Sequence, residues 1–314
     1  MEMVRENMCH PFVKWAGGKR QLIGEIEKSL PEDFREREVT YIEPFVGGGA
    51  VLFHMLQEYP NIRHAVINDI NKSLVTAYMV VRDDVEGLIR ALREMAEEYM
   101  PLSPEGRKEY FHFTRKRYNE CKDKEGGEDV GIAAMFIFLN RTCFNGLYRE
   151  NRKGEFNVPF GGYGNPGILD EDNLRRCSAL LRKCSTHMIC GDFEDAACLS
   201  GGSGTLYYLD PPYRAITETS AFNTYSKEGF GDGEQERLCR FCRRIDKSGG
   251  MFIESNSDSG RFFDELYDGF DIRRVAATRR INSKGDRRGK ISELIITNIK
   301  NNGNNDILGC QVAY

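Results

Sequence analysis

The stretch TLYYLDPPYR, residues 205–214, runs five apolar, aromatic or β-branched residues into a carboxylate, two prolines and a tyrosine. It follows a Gly/Ser turn (Gly201, Gly202, Ser203, Gly204), so Thr205 to Leu209 reads as a short buried strand. The strand must stop at Asp210, because Pro211 and Pro212 have no N–H to give a ladder. Asp210 therefore stands at the carboxyl end of a strand, on a stiff peptide, with Tyr213 close behind. In an open α/β sheet, ligands and chemistry collect at that edge. A polar turn that merely ends a strand has the same local sequence, so the rest of the chain has to decide.

Working outward, VTYIEP (39–44) reads as a strand and GGGAVLFHMLQ (47–57) as a glycine loop opening a helix. HAVINDI (64–70) reads as the next strand, and Asn71 caps a helix over KSLVTAYMVV (72–81). Together they predict a Rossmann-type β-loop-α-β-α unit. Helical patterns follow near 85–99, 105–121 and 130–140. Residues 141–167 are rich in Gly, Asn, Arg and aromatics with no helical period, and a polar helix is expected over 170–184. HMICGDF (187–193), the 206–213 stretch and GMFIESN (250–256) resume the strand alternation. DIRRVAATRRI (271–281) and ISELIITNI (291–299) flank a Gly/Lys/Arg loop and predict a late hairpin. Residues 1–10 read as a loose start and NNGNND (301–306) as a disordered tail. The expected organisation is one α/β domain, residues 1–71 and 167–314, interrupted by a mainly helical insertion, 72–166, with a β-hairpin near 142–163.

The 314 residues have an ordinary globular composition, 40% apolar and 29% charged, with a formal net charge of −4. Any nucleic-acid surface must then be local, because a strongly basic domain is the usual footprint. There is no signal h-region and no 18-residue apolar run, so a cytoplasmic protein with its 10 cysteines reduced is expected. Cys239 and Cys242 form a lone CxxC in a helical stretch with no second pair, which reads as two partly buried helix positions; no metal site is expected.

YIEPFVGGG (41–49) puts Glu43 and a run of glycines at a strand-to-helix turn. Glycine lets backbone approach a ligand closely, but the loop lacks the GxGxxG of a dinucleotide site. Glu43 would repel pyrophosphate and suit an ammonium group. Asp69 lies about 20 residues beyond the glycines, where an acid binds ribose hydroxyls. A ribose with an amino-acid ammonium describes S-adenosylmethionine better than a nicotinamide dinucleotide; a generic Rossmann turn is the plain alternative. In FVKWAGGKRQL (12–22), Lys14 and Lys19 flank the sole tryptophan, Trp15, at a Gly-Gly turn, which suits a carboxylate or phosphate partner.

KWAGGK (14–19), EPFVGGG (43–49), NDIN (68–71), NRTCFNGLYRENRKGEFNVPFGGY (140–163) and DPPY (210–213) occur in that order. This combination resembles the Dam-type DNA adenine-N6 methyltransferases of the α group, from Phe12 to about Ile299. The resemblance implies a Rossmann-like, S-adenosylmethionine-dependent methyltransferase fold with an inserted target-recognition domain at 72–166. It implies double-stranded DNA as substrate, usually at GATC, and a monomer whose restriction endonuclease, where there is one, is a genetic rather than a physical partner. Trp15, Lys19, Glu43, Pro44, Phe45, Gly47 and Gly49 would surround the methionine part of the cofactor. Asp69 would bind the ribose, Ile70 would pack on the adenine, and Asp192 and Phe193 would contact that adenine. Asp210, Pro211, Pro212 and Tyr213 would hold the target base, with Asp210 also bordering the cofactor. Lys14, Phe144, Asn145, Leu147, Arg149, Pro159 and Tyr163 would read or wedge the DNA. Phe144 stands where some members carry tyrosine; it keeps the stacking face and loses the hydroxyl.

The chemistry agrees with this reading. An exocyclic adenine amine is a poor nucleophile, and two acceptors on its N–H groups pull the nitrogen toward sp³. The amine is unreachable inside a duplex, so the base must be extruded. Two stretches are locally basic: Arg141–Lys153 sets four cations against Glu150, and Arg273–Lys290 sets eight against Asp286. They suit phosphate contacts, or are solvated faces. A nicotinamide-dependent oxidoreductase leaves DPPY and the 140–163 motif unexplained. An inactive methylase-like DNA-binding protein should have lost Asp210 or the glycine loop. An N4-cytosine, RNA or protein methyltransferase shares the chemistry but not the 140–163 motif.

Overall fold

The computed structural model describes residues 8–124, 129–199, 202–214, 230–278 and 290–300. Seven strands, β1 (Val39–Glu43), β2 (Ile62–Asp69), β3 (His187–Cys190), β4 (Thr205–Leu209), β5 (Met251–Ser257), β6 (Asp271–Thr278) and β7 (Lys290–Thr297), form one sheet in the order β3-β2-β1-β4-β5-β7-β6. The first five run parallel, and β7 lies antiparallel between β5 and β6. This is the Rossmann-like methyltransferase architecture the sequence predicts, late antiparallel hairpin included. From β1 the chain winds outward through β2 and β3; from β4 it winds the other way. The β1/β4 boundary is therefore the topological switch point, where a crevice opens beyond the strand ends. Glu43 ends β1 and Asp210 follows β4 directly.

The helices are α1 (Ile23–Glu27), α2 (Ala50–Glu58), α3 (Lys72–Asp83), α4 (Val85–Tyr99), α5 (Pro104–Cys121), α6 (Asp129–Thr142), α7 (Glu171–Lys183), α8 (Asp232–Lys247) and α9 (Arg261–Leu266). Their starts follow capping rules. Asn71 accepts from the Leu74 N–H at 2.9 Å, Ser103 from Gly106 with Pro104 in the first turn, and Asp170 from Asn173. Helix α6 is buried from Ile132 to Asn140 without a break, because α3, α4 and α5 all pack on it. One core joins the α2–α7 face of the sheet to those helices and to Tyr148, Phe156 and Val158; a second lies on the other face under α8 and α9.

One expectation changes, and two others gain detail. Residues 8–10 are not a loose start: the Cys9 N–H donates to Gln57, and His10 exchanges backbone bonds with the buried Asn173 side chain. The strand and turn expected over 187–193 divide at Cys190, after which a 3₁₀ segment starts at Phe193. Residues 142–163 fold back as an antiparallel hairpin in two stretches: bridges pair Cys143 with Phe160 and Glu150 with Phe156, and the Phe144, Asn151, Asn157 and Gly161 N–H groups donate to the Pro159, Glu155, Arg149 and Thr142 carbonyls. The loop between the late strands and the 301–306 tail lie outside the described residues.

Gly49 ends the glycine loop with φ 73°. A Cβ there would collide with the Tyr78 hydroxyl and come within 3.2 Å of the Phe53 ring. Tyr78 is itself committed, donating to the Gly47 carbonyl at 3.1 Å. Gly49→Ala is expected to cost about 1–3 kcal/mol, part from the left-handed backbone and part from overpacking. Urea denaturation would show it as a lowered midpoint at unchanged slope.

Candidate active site

At the end of β4, the Asp210 Oδ1 lies 2.9 Å from the Lys19 ammonium, which is itself only 7% exposed. Lys19 also donates to the Gly17 carbonyl and sits 4.3 Å above the centre of the Tyr213 ring. The Ser255 hydroxyl reaches the same Asp210 oxygen at 3.3 Å and bonds to the Tyr208 hydroxyl at 2.8 Å. Burial raises the Asp210 pKa above the ordinary carboxylate value, while Lys19 pulls it back. The Tyr213 hydroxyl donates to Glu293 of β7 at 2.7 Å. The sequence thus places Asp210 and Tyr213 correctly at a strand end, and the fold adds Ser255, Tyr208 and Glu293, which no motif announced.

Across the switch point, Glu43 is 2% exposed and accepts from the Tyr41 hydroxyl at 2.8 Å. Burial pushes its carboxyl well above the ordinary value, and the Asp210 charge adds to the effect. The glycine loop is closed by Asp69, which accepts from the Gly47 N–H at 3.1 Å and the Asn71 N–H at 2.9 Å. Burial raises Asp69 to about 6. Asn68, its buried neighbour, donates to the Pro44 and Gly191 carbonyls, at 2.9 and 3.1 Å. It ties the loop after β1 to the loop after β3, a role hidden in sequence behind Asp69. A Cβ on Gly47 would sit 2.8 Å from the Trp15 ring, so the loop and Trp15 are in direct contact. Phe45 packs on Phe193, 5.4 Å between ring centres. Ile70, by contrast, is 74% exposed at the rim.

Asp192 and Phe193 are organised by Arg237 of α8, which the sequence reading did not single out. Its guanidinium pairs with Asp192, Glu194 and Glu234 and lies 4.5 Å from the centre of the buried Phe193 ring. Asp192 also accepts from the Glu194 N–H.

The residues expected to contact DNA gather around α6 and the loop after it. Asn140, buried on α6, bonds both the N–H and the carbonyl of Lys14, each at 2.8 Å, and also the Gly146 carbonyl. Gly146, at φ 62°, is so close to the Lys14 side chain that a Cβ would overlap it. Asn145 also takes a left-handed φ of 55°, and its N–H donates to the Tyr163 hydroxyl at 2.7 Å. Lys14 lies 5.1 Å from the centre of the Tyr163 ring. Phe144 is 52% exposed at the tip, and Arg149 and Pro159 are exposed too, whereas Leu147 is half-buried against the core. Arg149 donates to Asn157 at 2.8 Å. Behind the loop, Trp15 stacks on Tyr148, 5.8 Å between centres, and Tyr148 donates to Glu150, which pairs with the buried Lys122.

In the two basic stretches Arg141, Arg273 and Arg274 are partnered within the protein, whereas Arg149, Arg152 and Lys153 are exposed. Arg274 pairs with Asp264 and Asp258, and Arg273 with Ser29 and Asp271. Arg141 turns inward to the Phe12 carbonyl at 2.8 Å. The other cations of the 273–290 stretch, Arg279, Arg280, Lys284, Arg287, Arg288 and the Lys290 side chain, fall outside the described residues. Cys239 and Cys242 are core residues, donating to the Leu266 carbonyl and to Glu254. A surface cavity of about 610 Å³ lined by His10, Arg141, Leu169 and Asp170 includes none of the strand-end residues. No helix among the described residues is long and apolar enough to cross a membrane.

Residues 15–281 match the family described as D12 class N6 adenine-specific DNA methyltransferase. The chain is 47% identical over 290 residues to Type II methyltransferase M.MjaIII of Methanocaldococcus jannaschii, covering 92% of this chain and 98% of that protein. It is 38% identical to Type II methyltransferase M1.LlaDCHI of Lactococcus lactis, over 96% of this chain and 100% of that one. It is 32% identical to the DNA adenine methylase of Haemophilus influenzae, over 91% and 92% of the two chains.

Proposed function

The chain belongs to the D12 class N6 adenine-specific DNA methyltransferases, and from that premise we propose that it methylates adenine in GATC, with S-adenosylmethionine as donor and the target base flipped into the Asp210–Tyr213 site. The observation that carries this reading is the convergence at the switch point: Asp210 on the Lys19 ammonium, Tyr213 beneath that ammonium, and the acid Glu43 facing them from β1. The Asp210 carboxylate and the Pro211 carbonyl accept the two N–H groups of the adenine amine and raise the availability of its lone pair. Tyr213, anchored by Glu293, offers the stacking face. The Lys19 ammonium now holds both the Asp210 oxygen and the ring face. An incoming adenine takes over those two interactions, so Lys19 keeps the carboxylate ordered until the base arrives.

The donor fits the residues at hand. Gly47 and Gly49 let the loop pack closely on Trp15 and Tyr78, Glu43 awaits an ammonium, and the exposed Ile70 gives an apolar shelf beside Asp69. S-adenosylmethionine supplies an electrophilic methyl group on a sulfonium. Trp15, Pro44, Phe45, Asp192 and Phe193 complete its surroundings.

We assign residues 72–166 to target recognition, with Lys14 and Tyr163 of the flanking segments. Phe144 wedges into the stack where the adenine leaves. Arg149 reads a guanine as a bidentate donor, and Leu147 and Pro159 touch a thymine methyl. Arg149→Ala is expected to relax discrimination at one guanine by about 1–3 kcal/mol. Competition between duplexes substituted at that position reads it directly, and an unchanged preference refutes the role.

The test of the whole reading is transfer of tritium from labelled S-adenosylmethionine to short duplexes. One carries GATC, one GATC already methylated on both strands, and others differ by one base. Label in GATC alone is expected. Label at another adenine site keeps the chemistry and overturns the specificity; no label in any duplex points to an RNA or protein amine. The Type II methyltransferases among its relatives favour a restriction-modification role over replication or repair marking. A monomer acting on one strand of a palindrome at a time suffices.

A further inference from the structure

Strand β5 is apolar at its start and polar at its end, yet Glu254, Ser255 and Asn256 are all fully buried. Alternation sends Ser255 to one face, where it meets Tyr208 and Asp210. Glu254 and Asn256 share the other face, against α8 and α9. There the Asn256 amide donates to Glu254 at 3.0 Å and to Gln235 at 3.1 Å, and Gln235, also fully buried, donates to the Pro212 carbonyl at 3.3 Å. The far end is closed by the Tyr267 hydroxyl, 2.5 Å from Glu254, and by the Cys242 thiol.

We propose that this chain, Glu254–Asn256–Gln235, is a positioning device for methyl transfer: it fixes the Pro212 carbonyl and through it the placement of Tyr213. The proposal rests on the reading of Asp210–Tyr213 as the adenine site. Proline rings set φ at 211 and 212 but leave ψ free. The direction of the Pro212 carbonyl is what ψ decides, and Gln235 is the side chain that holds it. Burying two amides and an acid under a sheet is unfavourable unless they are well paired, and apolar residues would fill the same space. What the polar chain adds is a defined direction at its outer end, on the peptide that carries the stacking ring.

Gln235→Met removes the donor at nearly constant volume. Its kcat on a duplex that the wild-type enzyme can methylate is expected to fall about 10- to 100-fold, the loss typical of a small misplacement of reacting groups. Dissociation constants for S-adenosylmethionine and for the duplex should stay within about threefold, since Gln235 is fully buried. Adding Asn256→Ala should lower kcat little further, because the two side chains act as one unit. Wild-type kcat in Gln235→Met, additive losses in the double variant, or a loss carried by ligand affinity each overturn the proposal. Should Gln235→Met not fold, Gln235→Asn keeps the amide but withdraws it by one methylene; unchanged kcat there is equally fatal. Asp210→Asn, run alongside, separates the two levels. If it is silent while Gln235→Met is fully active, only the positioning role fails. If it retains turnover, the site reading fails and this proposal with it.

Discussion

Asp210→Asn is expected to lower methyl transfer by at least about 10²–10³-fold, the scale of losing one preorganised acceptor at developing charge, while duplex affinity stays within about threefold. The asparagine is the sharper test than alanine. Lys19 is nearly buried against Asp210, the Gly17 carbonyl and the Tyr213 ring. Alanine would remove both the charge and the oxygen that Lys19 and Ser255 donate to, and breaking a buried pair by removing one partner destabilises strongly. A loss of activity in Asp210→Ala could then come from a disordered segment around Lys19. Asparagine keeps a carbonyl oxygen for Lys19 and Ser255 and removes only the charge and one acceptor. A folded, DNA-binding, inactive Asp210→Asn enzyme is the expected outcome. Turnover within tenfold of wild type would remove Asp210 from the chemistry.

The positions that could be read from sequence are those where local chain chemistry forces the geometry. Two prolines after an apolar run leave Asp210 nowhere but at a strand end, and Asn71 caps α3 because its side chain has an orphan N–H within reach. The partners of these residues were not legible. Lys19 and Asp210 are brought together by the sheet order, and nothing local to either marks the other. Glu254, Ser255 and Asn256 look like the solvent end of a strand; they are buried because Gln235, Cys242 and Tyr267 cover one face of β5 while Ser255 meets Tyr208 and Asp210 on the other, a fact of the fold and not of the stretch. Arg273 and Arg274 show the same limit from the other side. Their cationic character is plain in sequence, but the acids that pair with them, Asp258, Asp264 and Asp271, are chosen by the fold. The loose-start reading of Cys9 and His10 failed for a similar reason: their partners, Gln57 and Asn173, are far away in sequence.

Glu43 should make binding of a cationic donor depend on pH. Burial raises its pKa well above the ordinary carboxylate value in the free protein, which favours the protonated acid. An acid raised in this way binds more protons folded than unfolded. Its effect on stability is therefore a loss as pH rises from the ordinary carboxylate range toward the raised value. An ammonium placed against Glu43 reverses the preference and expels the proton. Donor affinity should then increase with pH over the same window, up to the raised value. Calorimetric titration with S-adenosylmethionine over a series of pH values, at each in two buffers of different ionisation enthalpy, reads the released proton as a difference in apparent heat. At the upper end of that series Asp69, raised only to about 6, is already ionised and contributes little. Glu43→Gln should bind the donor about 10- to 150-fold more weakly, the worth of one charge-assisted hydrogen bond, and lose the buffer dependence. It should also be at least as stable as the wild-type protein without ligand, because it removes an acid that burial disfavours. Equal heats in both buffers for the wild-type protein, or full affinity in Glu43→Gln, would mean that the ammonium lies elsewhere.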